Sequence, residues 1–424
     1  MSLARRMAIG PALWALLATA PARAQEPPGR LHLSGFGTLG FLATDTHQVA
    51  YPRSRNQPEG AKDSPDPRQD SRVGMQLNYR FNDQLDLTVQ ALSQYRYDHT
   101  FCPDLTWAAL SWNPFSNVLV RLGRLTLDIP AEGELANVGY TYLWARPPQD
   151  VLGQFLEQGN DGVHISQTFQ PGQWGCWSVD GWYGRSIGKA TIVGSSQPWD
   201  LSGGHNLGAS LMWARPPWLV RFSMNSIELG HDLPPPVGNL PADFDQAART
   251  LGDPALIQTG DLFRVAGTRG GDYTLFARYN EDPVQVEGAY LRQYYKNFLL
   301  PVVRSGFLSF GYRVGPAVPY LLYARCQSPA IPEPYLGELP TVANFNPGAR
   351  ALITQLPQLL LTTDQRTWSA GVRWDFSEHA DLKFQLDLVH AAHPPRLLYP
   401  VTPQFDGHFM AMSVVLDFVF GDRR

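Results

Sequence analysis

WSAGVRWDF, residues 368–376, decides the fold. Trp368, Ala370, Val372, Trp374 and Phe376 fall on one face of an extended chain, and Ser369, Gly371, Arg373 and Asp375 on the other, a period of two that strands produce and helices do not. One face is oily and the other wet. Alternation alone fits a soluble sandwich as well as a membrane barrel, and aromatic placement separates them. Trp368 and Phe376 are about 26 Å apart along a strand at roughly 3.3 Å per residue, or near 20 Å vertically at a tilt of about 40°. That approximates the two aromatic girdles of a bilayer-spanning barrel.

The pattern recurs on both sides of this stretch. In SRVGMQLNYRF, Val73, Met75, Leu77, Tyr79 and Phe81 oppose Arg72, Gln76, Asn78 and Arg80; WLVRFSMN, LDLTVQALSQYRY and DLKFQLDLV repeat it. Short links fall at 81–84, 113–117, 171–175, 215–217, 280–283, 314–317 and 377–380. Long segments alternate with them, at 44–70, 97–104, 126–160, 186–203, 229–271, 296–301, 326–366 and 391–407. The tally is about sixteen strands, an even number that leaves both termini on one side. Two long segments hold helical stretches, PADFDQAARTLGDPALIQ and PGARALITQLPQLLL, expected to pack on the rim rather than act as lids. At the C-terminus HFMAMSVVLDFVF sets Met410, Met412, Val414, Leu416, Phe418 and Phe420 on one face of a last strand.

The N-terminus has the form of a secretory signal peptide: Arg5 and Arg6, an apolar run from Met7 to Ala20, and Ala22-Arg23-Ala24 as a cleavage site. Residues 1–24 are then removed, and 25–424 form one barrel domain. Just beyond, SGFGTLG matches the G-x-G-x-x-G spacing of a dinucleotide loop. It has too little chain before it for a buried strand and nothing helical after it, so no cofactor is expected. The stretch reads instead as the first strand, with Leu33, Gly35, Gly37, Leu39 and Phe41 outward and Ser34, Thr38 and Gly40 inward. Gly35 and Gly37 would leave a thin patch where a neighbouring subunit's wall could approach.

The 424 residues carry a net charge of -4, 17% charged and 12% aromatic residues, which gives nucleic acid no basis as a partner. No window after the signal approaches a transmembrane helix. Cys102, Cys176 and Cys326 are too few for a disulfide framework, leaving one bridge or three thiols. His390 and His393 form an H-x-x-H, but a loop start and two prolines argue against a metal site; His164 reads as a wall residue. No catalytic motif is present, so the chain is not read as an enzyme. The alternatives kept open are a soluble secreted β-protein binding carbohydrate and an outer-membrane lipase-like enzyme.

The wet face holds Arg72, Arg80, Arg96, Arg121, Arg221, Arg278, Arg313, Arg325, Arg373 and Lys383, against Asp86, Asp180, Glu287, Asp375 and Asp387. In a narrow channel such an excess favours anions; arginines that are paired or at the rim would contribute little. Arg124 and Arg292 do not fit the face assignment, which places each at a bulge or a rim.

SGFGTLG, DSRVGMQLNYRFNDQLDLTVQA, NVLVRLGRLTLDI and NVGYTYLWARPP, taken in order, resemble the porins of Gram-negative bacteria, and among them a porin-like branch of proteobacteria. The resemblance implies an all-β, transmembrane, antiparallel up-and-down barrel with long extracellular loops and short periplasmic turns, set in outer-membrane lipid. It implies a homotrimer and passive diffusion of small hydrophilic solutes or anions. It also implies that the third long loop, about 126–160, enters and narrows the barrel, with Asp128, Glu132 and Glu134 as its acidic side. The Pro-Glu-Phe-Gly motif of general porins is missing, and the chain runs past the usual terminal aromatic through Gly421-Asp422-Arg423-Arg424.

Overall fold

The computed structural model describes residues 30–126, 133–153, 159–192, 195–297, 299–300, 302–328, 363–392, 397–402 and 405–421. Its strands are β1 (Leu31–Thr44), β2 (Val49–Ala50), β3 (Arg72–Asn82), β4 (Leu85–Gln94), β5 (Asp104–Phe115), β6 (Val118–Leu125), β7 (Gly159–Phe169), β8 (Cys176–Ile187), β9 (Lys189–Ala190) and β10 (Trp199–Asp200). There follow β11 (His205–Arg215), β12 (Trp218–Glu228), β13 (Arg269–Glu281), β14 (Val284–Tyr295), β15 (Val303–Tyr312), β16 (Ala317–Gln327), β17 (Asp364–Ser377), β18 (Ala380–Ala391), β19 (Tyr399–Pro400) and β20 (His408–Gly421).

Sixteen of these close an antiparallel barrel in the order β1-β20-β18-β17-β16-β15-β14-β13-β12-β11-β8-β7-β6-β5-β4-β3. Each strand pairs with its neighbours in the chain, and β1 closes the circle by pairing with both β3 and β20. Each expected short link joins two strands, so every second connection is a tight turn and both barrel termini lie at the turn end. Closure removes the unpaired edges that an open sheet would expose.

Parity along each strand sorts the side chains. Leu33, Leu39 and Phe41 of β1, Val73 and Met75 of β3, Phe222 and Met224 of β12, and Trp368, Trp374 and Phe376 of β17 are exposed on the outer surface. Their neighbours in sequence point inward. The C-terminal strand adds Met410, Met412, Phe418 and Phe420 to the outer surface. The space outside Gly35 and Gly37 is filled by the rings of Phe420 and Phe418, so the thin patch expected there for a neighbouring subunit does not exist.

The loop end carries two cores of its own. Helix Leu240–Leu251 turns Leu240, Phe244 and Ala248, spaced by four, onto Trp199, Phe263, Leu299 and Leu300. This helix and Ala255–Asp261 account for the first helical stretch; the second, at 347–361, lies outside the described residues. Elsewhere on the rim β2 pairs with β19, and Val49, Tyr51, Leu398 and Phe405 pack with Phe409 of β20. Cys102, Cys176 and Cys326 are free thiols.

Candidate pore lining

Residues 133–153, between β6 and β7, lie inside the barrel against the inward faces of β1, β20 and β18 to β14. Apolar contact holds the middle of this segment: Tyr142, Trp144 and Val151 join Leu291, Phe307, Tyr320, Leu322 and Ala324 in one buried cluster. Several of the polar groups that enter with it find hydrogen-bond partners on the wall, as burial favours. Trp144 Nε1 donates to Ser309 Oγ at 2.8 Å, and the Ala145 amide and the Tyr320 hydroxyl both donate to Gln385 Oε1, at 3.1 and 2.8 Å.

Charged wall residues grip the carbonyls of the same segment. Lys383 Nζ donates to the Gly139 carbonyl at 2.7 Å and pairs with Asp417 at 2.9 Å and Asp381 at 3.4 Å. Thr38 donates a short hydrogen bond to the same Asp417 carboxylate. Arg373 donates to the carbonyls of Tyr140 and Tyr142 at 2.8 and 2.7 Å while pairing with Asp375 and Asp381. Arg72 Nε reaches the Asn137 carbonyl at 2.7 Å. Buried pairs of this kind add little net stability against an apolar substitute. What they do here is fix where the backbone of the segment lies.

The segment continues upward into the rim. Arg146 pairs with Asp70 at 3.2 Å and donates to the Pro52 carbonyl, while Gln149 bridges the carbonyls of Pro52 and Leu397. Asp150, fully buried on the short helix Gln149–Leu152, accepts from Thr367 Oγ1 at 2.8 Å. Burial pushes its carboxyl up to about 6, against the opposing pull of the Thr367 bond.

The opposite wall is wet. Inward residues on β3 to β8, among them Gln76, Asn78, Thr88, Arg121, His164, Ser166 and Asp180, stay partly exposed, whereas Ser305, Ser309, Thr367, Ser369 and Gln385 behind the segment are buried. Among the described residues, a polar space therefore runs along this side of the barrel. Arg121 lies over the Trp107 ring at 5.1 Å. Asp180 accepts from Ser210, which in turn accepts from Arg221, and lies 3.6 Å from His164.

The structure divides the ten cations singled out in the sequence. Arg80, Arg121, Arg221 and Arg278 point inward on the wall away from the segment, and Arg313 lies at the turn end against Asp375. Arg72, Arg373 and Lys383 also point inward but are covered by the segment. Two placements are corrected. Arg96 is not on a strand; it sits in the loop after β4, bound to Asp98 and Asp104. Arg325 faces outward, because it shares the parity of Leu321 and Tyr323 on β16 and lies beyond them at the loop end.

At least seven of the ten, Arg80, Arg96, Arg278, Arg313, Arg325, Arg373 and Lys383, lie within 4.0 Å of a carboxylate. Arg124 is also outward, paired with Asp161 at 2.8 Å. Asp128 and Glu132 lie outside the described residues; Glu134 is in the one-turn helix Gly133–Leu135, and its side chain is likewise not described. Asp381, Asp417 and Asp70 are not among the residues the sequence singles out. The alternation already places Asp381 and Asp417 inward, two residues from Lys383 and next to Phe418, whereas nothing local announces Asp70. Among the described residues no three His, Cys, Asp or Glu side chains cluster as metal ligands; the His390 and His408 rings lie 4.2 Å apart, tilted by 41°, and His393 lies outside the described residues.

No family model and no curated protein matches the sequence. Among solved structures, the high-pH form of Pseudomonas putida OprB aligns with 92% of this chain and 94% of its own, at 9% identity and a TM-score of 0.53. An anion-selective porin from Comamonas acidovorans aligns over 92% and 99%, at 12% identity and a TM-score of 0.51. The outer membrane channel DcaP of Acinetobacter baumannii aligns over 92% and 97%, at 8% identity and a TM-score of 0.51. The shared property at these identities is the fold, a closed sixteen-strand barrel.

Proposed function

We propose that this chain is an outer-membrane porin, a passive channel for small hydrophilic solutes. The observation that carries the reading is the division of the barrel's two faces: apolar and aromatic side chains outside, and inside a polar, partly exposed wall along β3 to β8. An apolar exterior of this kind is stable in lipid, and a polar interior admits water and solutes. Residues 133–153 narrow the passage by filling the side of the barrel lined by β14 to β20. On this reading residues 1–24 direct export and are removed, the tight turns face the periplasm and the long loops face outward.

Selectivity follows from the charges left in the polar space. Arg80 and Arg278 are matched by Asp86 and Glu287, so the excess of cations apparent in the sequence is largely cancelled. Arg121, lying over the Trp107 ring on the wet wall, faces the polar space, and a preference for anions of a few-fold is expected rather than strict selection. The homotrimer implied by the family resemblance completes the proposal. Purified protein in a planar bilayer tests it: stepwise, ohmic currents support it, and their absence from folded, inserted protein refutes it.

A further inference from the structure

His390 meets a histidine from another strand. In the β18–β20 ladder it stands directly opposite His408, and both face outward, on the parity of the exposed Leu388 and Met410. The pair lies one step toward the loop end from those two residues, where the outer surface passes from apolar to polar. Nδ1 of His390 comes within 3.1 Å of each ring nitrogen of His408. His408 is exposed and His390 half-buried, so both are reached from solvent. Backbone hydrogen bonds hold the two positions: the Ala391 amide donates to the Gly407 carbonyl at 2.8 Å, and the His408 amide to Asp406 Oδ1 at 3.1 Å. His205 stacks on Tyr183 and His231 meets the Ser202 carbonyl, whereas His390 and His408 present nitrogen to nitrogen.

Nitrogen atoms at this separation suit one metal ion. With metal–nitrogen bonds of roughly 2.0–2.1 Å, neighbouring ligands of a tetrahedral ion stand about 3.3 Å apart. Imidazole suits Zn²⁺, Cu²⁺ and Ni²⁺, whereas Mg²⁺ and Ca²⁺ take oxygen ligands. Two protein ligands leave the remaining positions to water, which makes the site open and exchangeable rather than a closed structural one. Ligands carried on paired strands are already placed before the ion arrives. The charges nearby nearly balance: Arg366 stands opposite His390 on β17, and Asp364 lies two residues along the same face.

We propose that His390 and His408 form a cross-strand chelate for a divalent late transition-metal ion, Zn²⁺ or Cu²⁺. A bound ion clasps β18 to β20 at the loop end, beside the seam where β20 meets β1. The site faces away from the lumen, so the proposal goes beyond the channel reading and does not depend on conduction. Its test uses the untagged full chain, purified in detergent, stripped of metal and titrated with Zn²⁺ in a calorimeter. One Zn²⁺ per chain is expected to bind, and Mg²⁺ and Ca²⁺ at least tenfold more weakly. Losing a ligand costs no less than losing its outer-shell support, about tenfold. H390A and H408A should each weaken Zn²⁺ by that factor or more, and H393A should leave it unchanged. Electron paramagnetic resonance of bound Cu²⁺ should show two imidazole nitrogens in the wild type and one in either single variant.

Wild-type Zn²⁺ affinity in both H390A and H408A overturns the proposal, as does the absence of saturable binding to folded wild type. Loss of binding in H393A with H408A unaffected overturns the cross-strand pair in favour of a chelate within residues 390–393. Displacement of Zn²⁺ by Ca²⁺ at equal concentration overturns it in favour of a carboxylate site. Heat-dependent gel mobility confirms folding of each variant. Zinc binding by a wild type that gives no conductance would remove the channel reading alone.

Discussion

The ring of Phe418 stands where Gly37 would carry a side chain: an added Cβ would lie 2.2 Å from Phe418 Cζ. Gly35 and Phe420 repeat the relation one step along the same face, at 2.3 Å, and both are register pairs of the β1–β20 seam. The first and last strands of the barrel therefore meet through glycines covered by aromatic rings, a device that holds register where the circle closes.

Gly37→Val should displace the Phe418 ring and destabilise the barrel by about 1–3 kcal/mol, the usual cost of overpacking. Phe418→Ala should relieve most of that cost in the double variant. A double-mutant cycle read from unfolding in detergent and urea checks this, and additive effects would show that the two residues do not share the space.

Lys383→Met leaves Asp417 without its ion-pair partner, Asp381 with Arg373 alone and the Gly139 carbonyl without its donor. Breaking one side of a buried pair costs about 3–5 kcal/mol. The segment it anchors should loosen, so single-channel records should show a larger and noisier conductance than wild type.

Asp150 has a folded-state value of about 6, above an unfolded carboxyl near the ordinary range, so the folded chain holds the extra proton between the two. Stability contributed by this group is therefore full below about pH 4, falls as pH rises to about 6, and is level above, by about 2–3 kcal/mol at most. Asp150→Asn keeps an acceptor for Thr367 and removes the slope. Melting temperatures from pH 4 to 8 should diverge from wild type in the variant's favour up to about pH 6 and then run parallel.

Arg121→Glu places a negative charge on the wet wall opposite the filled side. The reversal potential in a salt gradient should change sign, from a slight anion preference to a cation preference of a few-fold.

Much of the barrel is legible in the sequence, because strand parity and turn chemistry are local. Every short link from Phe81 to Ala380 joins a hairpin, and the oily set of each strand faces out. Arg325 escapes this logic: its charge suggests the wet face, but beyond Tyr323 the strand leaves the apolar band and charge no longer marks the inside. Lys383 and Arg373 are inward as their parity requires, yet their burial comes from residues 133–153 docking across the barrel. That contact is tertiary, and no spacing along β17 or β18 encodes it.

The polar side of this barrel is expected to conduct. Purified protein, shown to be folded by heat-dependent gel mobility, is added to a planar bilayer in a salt gradient. Discrete ohmic steps that scale with salt and a small reversal potential on the anion side are expected. Folded, inserted protein that produces no steps would contradict this.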